Sequence, residues 1–208
     1  MAQILKDTGY RKHPYPFDWL FTDEKVILDI VKDDFKKFLD KSYYGEVVHK
    51  FSGRQSCHTI YHEDFFFHKD PRNEEDYEYY TKCVDNFRNL LKDNDKKLFT
   101  MIFTPQLTSH PKDISEILKN NSRDQYEKIL KERLKLFNDE FKNYTSNYKL
   151  LVIFHFSGND ERSFKMVEYS DIDFLTINTI GFSNGAHFSD VKDKEHVESI
   201  VKNYINNE

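Results

Sequence analysis

Cysteine, glycine, proline and tryptophan are all scarce in this chain, and each scarcity excludes something. Among 208 residues there are two cysteines, six glycines, five prolines and one tryptophan. Cys57 and Cys83 form no C-x-x-C pair, and a small secreted scaffold normally carries more thiols, so the expected setting is reducing and cytoplasmic. Neither the G-x-x-x-x-G-K-[ST] phosphate loop nor the G-x-G-x-x-G dinucleotide fingerprint occurs, which removes the usual sequence support for nucleotide binding. A G-x-S-x-G nucleophile elbow is missing too. Long apolar runs are absent: Leu150–Phe156 is far too short to span a bilayer, and the first ten residues lack the apolar core of a signal peptide. Positive charge is not in excess, with 31 Lys and Arg against 36 Asp and Glu, a net charge of −5. A chain without a broad positive field is not expected to bind nucleic acid or an anionic membrane, which leaves a small molecule or a protein as partner.

What is abundant is aromatic. Nineteen Phe and thirteen Tyr mean that rings build much of the interior. The length suits one domain over residues 1–208 that closes its core without metal or disulfide help. Apolar spacing of three and four predicts a long helix over 24–40, capped by Thr22 or Asp23, and a second over 74–91. Further helices are expected at 111–119, 123–142 and 193–204. The 43–68 stretch is rich in turns, with strand candidates at 46–51 and 58–61. Lys97–Phe103 and Tyr148–Phe156 read as strands apolar on both faces, the pattern of a covered parallel sheet. With the helix between them they suggest a βαβ crossover, and strands at 163–168 and 172–178 follow. The expected fold is α/β: a single three-layer domain whose mostly parallel central sheet is flanked by helices.

The chemistry candidates begin with the run Gly9–Trp19, G-Y-R-K-H-P-Y-P-F-D-W. Pro14 and Pro16 fix two φ angles and push His13 and Tyr15 toward extended geometry. The segment reads as a stiff strap that carries Phe17 and Trp19 to apolar sites and fixes the Asp18 carboxylate. Asp18 then either orients a histidine or ligand, or caps nearby backbone N–H groups. His58, His62 and His68 cluster with Glu63, Asp64 and Asp70, but the H-E-x-x-H order is missing, so neither a metal nor a cofactor is expected. His68 follows three phenylalanines where an apolar segment exits to the surface, a position that suits a ligand-binding or catalytic group. Cys57 beside His58 invites a nucleophile reading, yet neighbours on a strand face opposite ways. Cys83 lies near the apolar stripe of its helix and reads as a small buried hydrophobe. Arg11 and Arg88 could clamp an anionic substrate group through their planar forks. His155 interrupts an apolar strand near its C-terminal end, the edge where ligands collect in parallel sheets.

The motifs Gly9-x-Arg11 and Tyr15-Pro16-Phe17-Asp18-Trp19, preceded by Ala2 and Leu5, resemble a family described as papain-like cysteine peptidases. This is a domain of unknown function found in bacteria and some large viruses. Phe38-Leu39-Asp40, Phe67-His68, and the helix with Phe87 and Leu91 leading into Leu98–Phe103 extend the likeness over the first half of the chain. The family pattern G-x-x-C-x-x-A-x-x-L places its cysteine upstream of Met1. The resemblance implies a hydrolase acting by acyl transfer in the cytoplasm, that of the host if the source is viral. The upstream thiolate would attack a carbonyl, with His68 as base and acid and Asp18 orienting the imidazole. Arg11, Trp19, Arg88 and His155 complete the expected substrate contacts. A non-catalytic binding protein and a sugar- or nucleotide-dependent transferase are the alternatives.

Overall fold

A computed structural model describes residues 2–207 apart from 8, 19, 21, 50–52, 67, 108–111 and 185–186. In chain order the helices are α1 (Ala2–Asp7), α2 (Glu24–Lys32), α3 (Lys36–Leu39), α4 (Glu74–Lys92), α5 (Lys112–Asn120), α6 (Arg123–Phe141) and α7 (Val191–Asn207). The strands are β1 (Tyr44–His49), β2 (Gly53–His58), β3 (His62–Phe66), β4 (Lys97–Phe103), β5 (Tyr148–Phe156), β6 (Ser163–Glu168) and β7 (Ile172–Asn178). They fall into two compact units, one of residues 1–12, 95–108 and 147–208, the other of residues 13–94 and 109–146.

The expectation of three layers on one mostly parallel central sheet is corrected by two separate sheets. In the first unit a four-stranded sheet has the order β4-β5-β7-β6 and is mixed: β4–β5 and β5–β7 run parallel, β6–β7 antiparallel. The reason for the reversal is local. Only three residues join β6 to β7, and a parallel pair needs a crossover of about a dozen or more. The short connection is held by Asp173, buried at the start of β7, which accepts from the Tyr169 N–H at 3.0 Å and from the Tyr204 hydroxyl of α7 at 2.8 Å. Lys149 of β5 adds an ion pair at 3.1 Å. One sheet face, Leu151, Ile153, Leu175 and Ile177, packs on Ile4 of α1 and on Val197, Val201 and Tyr204 of α7, which recur at helical spacing. The opposite face is also buried, with the Phe154 ring stacked between Phe103 and Phe174.

In the second unit β1, β2 and β3 form an antiparallel meander. Residues 58–61, expected as strand, instead end β2 and turn into β3. Asp23 caps α2 by accepting from the Lys25 and Val26 N–H groups. The helix expected over 24–40 is broken: Asp34 and Phe35 have φ of 53° and 61°, a left-handed corner between α2 and α3. Such a corner strains non-glycine residues. It turns the Phe35 ring into a cluster with Phe38 and Phe87, at 6.0 and 5.8 Å. Phe38 further meets Phe65, Phe66 and Tyr80. Each fully buried ring contributes about 1.5–3 kcal/mol, enough to offset the strain of about 1–3 kcal/mol per residue. Helix α6 buries Leu130, Leu134, Phe137 and Phe141 and packs against α2.

Candidate functional site

The expected site residues divide between the two units. Asp18 closes its own turn: its carboxylate accepts from the Tyr15 N–H at 2.7 Å, while its N–H donates to the Tyr15 carbonyl. A capping contact of the kind the sequence allowed is therefore present. The strap is docked on α4, where Tyr15 and Phe17 meet the Phe87 ring edge-on and Asn86 donates to the Pro14 carbonyl. Trp19 lies outside the described residues. His68 is exposed beyond β3, on a different element from Asp18. Arg88 is a clamp on the left-handed corner, donating to the Asp34 carboxylate at 2.9 Å and to its carbonyl at 2.7 Å. Arg11 belongs to the first unit, where its N–H donates to the Leu5 carbonyl. Cys57 and Cys83 are both buried. His58 and His62 are register partners across β2 and β3 rather than neighbours on a helix. Among the described residues no group of three His, Cys, Asp or Glu is placed to hold a metal ion. No described helix is long and apolar enough to cross a membrane.

The remaining candidate, His155, does stand at a chemically distinctive place. It ends the buried run of β5 on the face that packs against α7, 1% exposed, with its ring against Phe188 and Nε2 3.0 Å from the Thr179 hydroxyl. Nδ1 is buried with no hydrogen-bond partner. Burial pushes its pKa down to about 4, although the Asp193 carboxylate pulls the other way, so the ring is neutral at pH 7.

Around it lies a polar clamp of residues that pattern reading passed over. Arg162, just ahead of β6, pairs with Asp190 and, through Nε at 2.7 Å, with Asp193. Asp190 precedes α7 and accepts from the Lys192 N–H, covering the helix start. Asp193 is wholly buried and also accepts from the Gly181 N–H at 2.7 Å and the Ile180 N–H at 3.3 Å. One carboxylate thus ties the β7–α7 loop, α7 and the β6 entry together. Gly181 is needed for the close approach: a Cβ there would sit 2.6 Å from the Ser189 hydroxyl. No protein family, curated protein or solved structure matches the chain.

This end of the sheet is apolar on its outside. Phe164, Phe182 and Val191 are 56%, 58% and 66% exposed, and Ile180 is exposed as well. All four lie within two residues of a clamp member or of the loop that Asp193 holds. By contrast, a surface groove of about 360 Å³ in the second unit, along α5 and α6, offers little chemistry. Its arginine, Arg133, is already paired with Glu24, whose carboxyl is raised by burial against the pull of that guanidinium.

Proposed function

We propose that this chain is a non-catalytic binding protein that engages a protein partner through the carboxyl end of its four-stranded sheet. The observation that carries this reading is the concentration of exposed Phe164, Ile180, Phe182 and Val191 around a charged clamp centred on the buried Asp193. Scattered single apolar residues are ordinary, but four exposed ones gathered on the segments around one clamp point to an interaction site. The clamp favours binding over turnover, because the charges of Arg162, Asp190 and Asp193 are paired with one another. A nucleophile reading of Cys57 requires an exposed thiolate, and both Cys57 and Cys83 are buried. The net charge of −5 supports a protein partner over nucleic acid. A content of only two cysteines fits a cytoplasmic setting.

The test is a Phe164→Ser, Phe182→Ser, Val191→Ser variant compared with the parent by proximity labelling in cells. These side chains are exposed, so the thermal midpoint should hardly move. Proteins labelled by the parent should be lost from the variant. An unchanged set of labelled proteins from a folded variant overturns the proposal, as does turnover of ester or peptide substrates by the purified parent.

A further inference from the structure

His58 sits in an aromatic box in the second unit. Its ring stacks on Tyr61 at 4.2 Å and lies near Tyr43, Tyr44, Phe65 and Phe66. Nε2 is 3.1 Å from the Lys37 carbonyl, which can only accept, so Nε2 carries the proton of the neutral ring. Nδ1 is then a bare lone pair, buried without a donor. Asp33, at the end of α2, has the matching defect: Oδ2 accepts from the Lys37 N–H, while Oδ1 is buried without a donor. The buried Tyr61 hydroxyl is a third orphan in this corner, but the two acceptors become complementary to each other once the imidazole gains a second proton. Leaving buried acceptors without donors is costly, so their pairing is favoured once a proton is available.

We propose that this corner is an acid-operated latch, in which one proton taken from solvent at Nδ1 of His58 lets the imidazolium bridge the Lys37 carbonyl and the Asp33 carboxylate. Closing it fastens β2 to the left-handed corner between α2 and α3, and draws the ring off Tyr61. The charged and titratable groups facing His58 are consistent with this. Asp33 and Asp40 favour the charged ring, whereas burial disfavours it and dominates, so the latch is open in neutral solution. From α3, the Lys37 ammonium sits 3.2 Å from Asp29 and 3.9 Å from Oδ2 of Asp33, on the oxygen that the latch does not use. Tyr61 is held protonated by burial and by Asp33 and Asp29, and Tyr44 by burial, so neither competes as a base. Because folding lowers the proton affinity of the imidazole, closure in acid accompanies a fall in global stability even as it adds a local contact.

The test uses nitrogen-15-labelled full-length protein and long-range imidazole NMR. At pH 7 His58 should be the Nε2-protonated tautomer. On acidification Nδ1 should gain its proton with a midpoint below 6.5, the ordinary imidazole value. Asp33→Asn should weaken proton uptake by about threefold or more. Asp139→Asn, on the exposed side of α6, should leave it unchanged. An Nδ1-protonated tautomer at pH 7 overturns the proposal without any variant, and so does an identical midpoint in Asp33→Asn.

Discussion

The buried imidazole of His155 gives a stability change that can be worked through with its sign. In the unfolded chain this group takes up a proton near 6.5; in the folded protein it does so only near 4. Between these values the unfolded state binds more protons, so stability falls as pH drops through that window and is fully present above it. Each tenfold change in proton affinity is worth about 1.4 kcal/mol, which makes the loss about 3 kcal/mol once pH reaches 4. Carboxylates elsewhere titrate over the same range, so the parent curve alone does not isolate the effect. His155→Leu does: it has similar volume, removes the orphaned Nδ1 and cannot titrate. Urea unfolding of both proteins should be followed from pH 7.5 to 4, by far-UV circular dichroism. The stability gap, variant minus parent, should grow by about 3 kcal/mol as pH falls, and nearly all of the change should come below 6.5. A gap that stays constant with pH would refute the account of a neutral, desolvated ring.

Other perturbations test the clamp and the thiols. Arg162→Ala leaves the wholly buried Asp193 without its cation, and breaking a buried pair this way costs about 3–5 kcal/mol, to be read as a lowered urea midpoint. Gly181→Ala forces a Cβ into the Ser189 hydroxyl and should destabilise by about 1–3 kcal/mol; an unchanged thermal midpoint would show that the loop yields freely. Cys57 and Cys83 should react slowly with a thiol-specific chromogenic disulfide in buffer and rapidly in urea. Fast native labelling of either would reopen the nucleophile reading.

The strands β4, β5, β6 and β7 lie where residue pattern places them, because continuous apolar runs and tight turns are local properties. The break in the helix expected over 24–40 was hidden for the opposite reason. Asp34 and Phe35 are held left-handed by Arg88, far along the chain, and by the Phe87 ring, so the residues around the break carry no signal of it. His155 was visible as a polar residue in an apolar strand. The clamp near it was not, since Arg162, Asp190 and Asp193 look like solvated charges in a chain that is 32% charged. The one available hint was Ser189-Asp190 ahead of a helix, in a loop that opens with Gly181. At Asp18 the sequence allowed a capping contact, and its carboxylate does accept from the Tyr15 N–H three residues away.

Composition and spacing by themselves determined that the chain is α/β, built on rings, and supplied with strands apolar on both faces. Those features follow from side-chain alternation and helical period, which each segment carries alone. Only tertiary structure decided that the strands sort into two sheets, that the larger one is mixed, and that three charged residues lock its carboxyl end. Pairing depends on which distant segment supplies the complementary edge or charge, and a desolvated ion pair exists only once both partners have been removed from water together.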